Sequence, residues 1–438
     1  MKRPFPSATT VTSLSFIAAL LPSVGFSGAN PVTLEEDVHF SAELTDLGRL
    51  ARFTISTSAD VELKAPSGVN TVQIKPGKHG VPSTIRGETV RLEGVAPGSK
   101  IAVTFDDNHD KPTYLFADPP PPDQWNHLPA DTIRFGPGRH RIGRYEIKGD
   151  DVTIFLEEGA VVEGYFIGRG NRNVRILGYG TIDGRKTKRA VRFERGRNIE
   201  IHGPVLLSRN GWTCAFFECD GVNIHNIKIL ASEVFSDGID ILATSNVVIG
   251  DVFIRNEDDC IAIKTKKWSF AGNVENVSVS NSVFWSGVRG NGLEIGWELD
   301  GDHVRNIRFE DIDIIRKETF SHPFKRAALS IHHVGSCRVS DVLYKDIRIE
   351  SVDENLIWIE QIIPAENSTW GSGGGTIENI RFENISYAKG NDVPVVIVAR
   401  EKGGIKNVSF KNLAIKGRSV VSPADPVFQL KHTDITVQ

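Results

Sequence analysis

Residues 236–260 read SDGIDILATSNVVIGDVFIRNEDDC. One apolar, β-rich run, Asn246 to Ile254, stands between two acidic groups: Asp237 with Asp240, then Glu257, Asp258 and Asp259. The distance from the first group to the second is close to the interval at which the surrounding chain repeats itself. If each repeat is one coil of a solenoid, residues one repeat apart sit on neighbouring rungs, about 4.8 Å apart. Asp237 and the Asp258–Asp259 pair then share one surface patch.

The repeat is visible on both sides of this stretch. An Asn, a few alternating apolar residues and a second short β run recur as RNVRILGYGTIDG at Asn173, RNIEIHGPVLLS at Asn198 and VNIHNIKILAS at Asn223. They return as SNVVIGDVFIRN at Asn246, ENVSVSNSVFWS at Asn276 and RNIRFEDIDIIR at Asn306. SDVLYKDIRIES carries Asp341 in the same place, and ENIRFENISYA at Asn379 and KNVSFKNLAIKG at Asn407 complete the set. No stretch of helical periodicity interrupts them. Short β runs that cannot bury their faces alone specify a parallel β-helix. The constant Asn fits a turn between sheets, because Asn tolerates the left-handed region and can bond to its own kind along a ladder. A large antiparallel sandwich would not need that constant phase. The wider intervals after Asn306 leave room for loops, of which residues 367–375 (NSTWGSGGG) are the clearest.

Ahead of the repeats, residues 30–117 read as a small β domain. Strand-like runs at Val38–Leu44, Leu50–Thr57, Thr71–Ile74, Thr89–Leu92 and Ile101–Phe105 are separated by turn formers such as Pro66-Ser67-Gly68 and Pro76-Gly77. Short alternating strands of this kind suggest a sandwich. Asp118-Pro-Pro-Pro-Pro-Asp123 marks the boundary, so residues 118–127 are expected to act as a stiff Pro-rich linker. Residues 128–438 then form the parallel β-helix, and the fold class is all-β.

The amino terminus has the form of an export signal over residues 1–29. Lys2 and Arg3 supply the positive start, Val11 to Leu21 the short apolar region, and Ser27-Gly28-Ala29 the small residues for cleavage. That apolar region is too short for a membrane span and no second candidate follows, so the expected place of action is secreted or periplasmic. A net charge of −4 argues against a nucleic-acid partner. Cys214, Cys219, Cys260 and Cys337 are too few for a disulfide scaffold and lack the paired spacing of a zinc site. They read either as pairs or as buried thiols. The N-x-S/T sequences at Asn276, Asn367, Asn384 and Asn407 overlap the repeat's own Asn phase for three of the four, so they carry no separate message.

Clustered carboxylates repel and raise one another's pKa, so a cluster on stacked coils calls for cations or for chemistry. Hydrolysis of a glycosidic bond needs one carboxylic acid and one carboxylate base across a sugar. Asp258 and Asp259 would point to opposite faces of a regular strand, so both serve one cleft only if the chain turns there. A calcium site is the other reading of such a cluster.

SDGIDI, followed one coil later by NEDDCIAIK and then by RGNGLEIGWE, resembles the β-helical glycoside hydrolases of families 28 and 49, and GYGTIDGR at Gly178–Arg185 resembles a segment of family 28. The likeness spans about residues 128–420. It implies a right-handed parallel β-helix and inverting, single-displacement hydrolysis of a polysaccharide, with no metal and no cofactor. By that match Asp258 is the general acid, and Asp237 and Asp259 hold the water. Two departures stand out. Asn291, in Gly290-Asn291-Gly292, occupies the place of the family 28 polygalacturonase histidine, and their Arg-Ile-Lys motif is not found. LEIGWE with Trp297, and a β domain ahead of the helix, resemble family 49 dextranases and isopullulanases. The resemblance therefore favours a neutral α-glucan, with an acidic or sulfated polysaccharide as the alternative.

Several neighbours are candidates for binding substrate. These are Asp240 and Asn291; Lys264 and Lys266 with Lys267, to lower a carboxylate pKa or bind an acidic or sulfated sugar; Glu294 and Glu298, as secondary acids or partners for hydroxyls; and Trp297 with Trp268 for stacking on sugar faces. His332 and His333 read as structural. A lyase or epimerase on the same scaffold, which would favour a metal and a basic catalytic residue, and a non-catalytic carbohydrate-binding module stay open, as does the oligomeric state.

Overall fold

In the computed structural model, residues 32–33, 40–44, 47–319, 325–363, 371 and 373–438 are described. The stretch read as an export signal lies outside them, as do Asn367–Trp370 and Ser372 of the NSTWGSGGG loop. Among the described residues the only helices are two short 3-10 segments, Gly77–His79 and Asp123–His127, and no helix is long and apolar enough to cross a membrane.

From Ile133 to Val437 the chain winds a single 28-stranded sheet system into a right-handed parallel β-helix, its strands pairing in parallel with those one coil later except Arg418–Val420, which pairs antiparallel with Ile405–Ile415. β-Branched residues suit this pleated, stacked environment. One inward column shows it: Val174, Ile199, Val222, Val247, Val277, Ile307, Val342, Ile380 and Val408 sit directly above one another. All are buried. A second column stacks Phe309, Tyr344, Phe382 and Phe410 at ring separations of 5.0, 4.8 and 4.7 Å.

The Asn ladder is present. Asn173, Asn198, Asn246, Asn276, Asn306, Asn379 and Asn407 all have φ between 54° and 58°. Asn198 donates to Asn173 (2.7 Å), Asn276 to Asn246 (2.9 Å), Asn306 to Asn276 (2.6 Å) and Asn407 to Asn379 (3.0 Å). One repeat is out of phase with the sequence reading. Asn223 lies within a strand, opposite Glu200 and Val248, and Gly221 (φ 73°) takes the turn. Glycine enters the left-handed region without cost, and the acceptor for Asn246 at this rung is Asp220 (2.7 Å). A second ladder, not anticipated, bends the chain between the other two faces. Its members include Asp346, Asn384 and Asn412, with Asn384 donating to Asp346 (2.6 Å) and Asn412 to Asn384 (3.1 Å).

Residues 32–118 form a four-stranded and a five-stranded sheet. Ala59–Lys64, Ser83–Arg86 and Asn108–Asp118 add strands that the sequence reading lacked. The last contains Pro112 and a polar start, which conceal it. The five-stranded sheet packs on the helix through Leu50, Tyr114 and Phe116, against Phe253, Trp285 and Ile315.

Asp118 lies inside that contact rather than in a free linker. Its carboxylate accepts from Arg52 Nε (2.6 Å) and Asn226 Nδ2 (3.0 Å) and pairs with Lys228. Burial pushes this carboxyl up, but Arg52 and Lys228 outweigh it and hold it at about 2. The stabilisation is therefore present above the unfolded value of 3.8 and lost only as pH falls through about 2. Asp118→Ala leaves two buried cations uncompensated, which typically costs about 3–5 kcal/mol. The expected result is a fall of several degrees in Tm by calorimetry. An unchanged Tm would show that the contact does not hold the two parts together.

Candidate active site

One face of the helix is built from the strands Cys214–Phe217, Ile239–Leu242, Ile261–Lys264, Leu293–Trp297, Ala327–His333 and Asn355–Gln361. The period-two alternation turns Ile239, Ile241, Ile261, Ile263, Leu293 and Ile295 into the core. It turns Asp240, Lys264 and Glu294 the other way. Each acidic residue of interest sits at the turn just before one of these strands. Register places Ile239 beside Ile261 and Ile261 beside Leu293, so Asp237, Asp259 and Asn291 fall on three successive rungs.

The chain does turn at Asp258–Asp259. Asn256, fully buried, ends its strand and donates to Ser236 O (2.8 Å) and Asp259 O (2.7 Å), while Cys260 Sγ donates to its Oδ1 (3.0 Å). Residues 257–260 thus leave the β conformation, and both carboxyls reach one side. Gly290 lies against this turn: a Cβ there would run into the Asp258–Asp259 peptide. Oxygens of Asp237, Asp258 and Asp259 all lie within 4.8 Å of one another. Asp258 is half-buried; Asp237 and Asp259 are buried.

Burial and neighbouring charge set Asp258 and Asp259 apart from ordinary carboxyls. Burial, then the charges of Asp237 and Asp259, hold the Asp258 carboxyl well above the usual range, with Arg326 opposing. Burial, then Asp237 and Glu294, push Asp259 up to about 7, with Lys264 and Arg326 opposing. The cluster therefore keeps a proton at a pH where isolated carboxyls would have lost theirs. For Asp259 the folded chain binds more protons than the unfolded chain between its unfolded value of 3.8 and about 7, so stability falls as pH rises through that window. Asp259→Asn keeps an acceptor for the two Asn291 donors and removes the charge. Its Tm at pH 7 is expected to exceed the parent's by a few degrees, with the gap closing below about pH 4. A lower Tm at pH 7 would contradict this reading of Asp259.

Most of the expected binding residues support the cluster instead. Lys264 is buried and donates to Asp237 (3.0 Å) and Asp240 (2.8 Å), beneath the Trp212 ring at 4.0 Å. Asp240 is fully enclosed. Asn291 donates from Nδ2 to Asp259 (2.9 Å) and accepts from Ala327 N at Oδ1 (2.9 Å), so its amide holds the Asp259 carboxyl in place. Glu294 is enclosed too, accepting from Ser330 and meeting His332 Nδ1 at 2.9 Å. Burial raises its pKa, but His332 and Ser330 outweigh burial and keep it low. Trp297, half-buried, stacks on His332 at 5.0 Å. Glu298 pairs with Lys267, and Lys266 with Asp300 at 3.4 Å. Glu294 and Glu298 thus meet neighbouring side chains. The reason is that outward positions on adjacent rungs lie only about 4.8 Å apart.

Asn256, Trp212 and Arg326 went unread in the sequence. Asn256 had a signal, a polar residue closing an apolar run. Trp212 and Arg326 come from rungs either side, and nothing local announces them. All four cysteines are free and buried, with burial pushing Cys219 and Cys337 up to about 12.

The sequence model for glycosyl hydrolases family 28 matches residues 132–432, the whole of the coil that carries this cluster. The chain belongs to glycosyl hydrolase family 28. This family 28 protein is a glycosidase acting on polysaccharides. It is 24% identical over 295 residues to the "Probable endopolygalacturonase I" of Aspergillus terreus, covering 65% of this chain and 74% of that protein. Among solved structures, Dex49A from Penicillium minioluteum superposes with a TM-score of 0.58 at 15% identity, covering 91% of this chain and 85% of that one. The polygalacturonase of Erwinia carotovora ssp. carotovora gives 0.55 at 18% identity, covering 69% and 89%. The β-helix alone cannot supply the Dex49A coverage, so the family 28 helix and its amino-terminal sheets together share that fold.

Proposed function

We propose that the protein is an exported, inverting hydrolase of an acidic, galacturonan-type polysaccharide. The observation that carries the reaction is the cluster of Asp237, Asp258 and Asp259, with oxygens within 4.8 Å of one another. Asp258, half-exposed and holding its proton, donates to the leaving glycosidic oxygen as the C1–O bond breaks. Asp237 and Asp259 hold a water between them. Two oxygens under 5 Å apart can each sit at hydrogen-bond distance from one bridging water. That water attacks C1 from the opposite face and gives its proton to the pair. The separation is tighter than the roughly 6.5–9.5 Å usual for a two-carboxylate inverting site. With two carboxylates on the water, the acid-to-base gap is not what makes room for it. Lys264, bonded to Asp237, supplies a cation beside the cluster.

The names of the curated relatives carry the substrate reading, and Arg326 adds a cation near the cluster. It lies on the rung after Asn291 and is felt by Asp258, Asp259 and Glu294 alike. A guanidinium at that place suits a sugar carboxylate. The curated relatives are named as polygalacturonases, which supports the acidic substrate over the α-glucan expected from LEIGWE. Reducing ends should be measured on polygalacturonate, dextran, pullulan and a sulfated galactan, with and without EDTA. Release from polygalacturonate, insensitive to EDTA, is expected. Release from dextran or pullulan alone would overturn the substrate. Release lost with EDTA would overturn the metal-free mechanism.

A further inference from the structure

Beyond the carboxylates, the same face carries an aromatic group that the reaction does not use. Trp268 is 65% exposed, a costly way to display a large apolar ring on a soluble surface. Its backbone is in the left-handed region (φ 53°), which a bulky residue occupies only when its surroundings hold it there. The surroundings do so. Trp268 tips a small hairpin of Lys266–Lys267 against Phe270–Ala271. Phe270 is buried against Phe217 at 4.8 Å, Ala271 N donates to Glu218 (2.9 Å), and Lys267 pairs with Glu298. The hairpin is therefore pinned to rungs on both sides.

Trp212 lies 5.2 Å from Trp268 and stacks on Phe217 at 5.7 Å and 15°. Register places Cys214 beside Ile239, so Trp212 occupies the rung directly before Asp237. The Lys264 ammonium that bonds Asp237 touches the Trp212 ring at 4.0 Å. The aromatic surface is thus continuous with the carboxylate cluster. Arg192 lies 4.1 Å over Phe217 and extends it further towards the amino-terminal coils.

We propose that Trp212 and Trp268 form a stacking subsite for a second pyranose ring of the same polysaccharide chain, on the amino-terminal side of the scissile bond. The C–H face of a pyranose is a flat apolar surface that suits an indole. Trp268 offers the exposed indole face and Trp212, on the rung directly before Asp237, supports it, so a ring stacked there is a close neighbour of the ring at Asp237. This rests on the polysaccharide-hydrolase reading, and its test does not depend on cleavage.

The probes are oligogalacturonides and isomalto-oligosaccharides of two and six units, titrated into full-length Asp258→Asn protein while tryptophan fluorescence is followed. The expected result is a fluorescence change with the hexamer of the preferred series. Adding Trp268→Ala should weaken hexamer binding about tenfold and dimer binding far less. Trp268→Phe should restore most of the loss. Equal hexamer affinity with and without Trp268 would overturn the subsite, as would an equal loss for dimer and hexamer or no fluorescence change with either series. Failure of the reaction reading looks different: the parent releases no reducing ends although the hexamer binds.

Discussion

Asp258→Asn is expected to lower kcat by about a thousandfold or more, since in the proposed mechanism it removes the proton donor to the leaving oxygen. The structure says why the loss is chemical. Asp258 is half-buried on a turn shaped by Asn256, and the contacts that hold the turn run through backbone atoms, including Asp258 O to Ser286 Oγ at 3.2 Å. Asparagine has the same shape and carries no charge to repel Asp237 and Asp259. Folding is therefore retained and Tm does not fall. Steady-state kinetics on polygalacturonate should show kcat lost with KM little changed. A variant that keeps a tenth or more of the parent's kcat would remove Asp258 from its role.

Lys264→Met is expected to be the most destabilising single change on this face. The ammonium is buried between Asp237 and Asp240. Those carboxylates, with Glu298 and Asp259, hold its pKa well above the usual lysine value although burial opposes this. That stabilisation is fully present below 10.5 and is lost as pH rises through the folded value. Removing one partner of a buried ionic set costs about 3–5 kcal/mol. It leaves Asp237 and Asp240 facing each other without a counter-charge, so activity disappears as well. The deficit should shrink as pH drops, because burial holds the Asp240 carboxyl well above the usual carboxylate range and favours its neutral form. Calorimetry at pH 4 and pH 7 checks this: a Tm deficit equal at both pH values would mean that Lys264 acts by packing against Trp212 alone.

How far the chain could be read in advance follows from the periodicities. The Asn turns at residues 173, 198, 246 and 276 share one phase and one reason, the left-handed φ, so the coil was legible. Gly221 satisfies that φ without being Asn, and the ladder slipped to Asn223 at that rung. The column through Asp346, Asn384 and Asn412 stood in the same quoted repeats and went unread, because Asp and Asn inside a strand-like run look like ordinary polar alternation. Asp237, Asp258 and Asp259 stand out in the sequence because carboxylates at that density are unusual, and their oxygens do come together. The contacts of Asn291, Glu294 and Glu298 could not be read in advance, because sequence shows which side of a strand faces outward, not which neighbour from the next rung is already there. Trp212 and Lys264 show the same limit: their contact joins residues two coils apart and decides what lies open to substrate.

The account stands most directly on the direction from which water arrives. Proton NMR during the first turnovers on an α-linked oligogalacturonide reads the anomer of the new reducing end before it equilibrates. Water held by Asp237 and Asp259 opposite Asp258 predicts the β anomer first. The α anomer first would contradict the account, because one of the three carboxylates would then be bonding to the sugar itself.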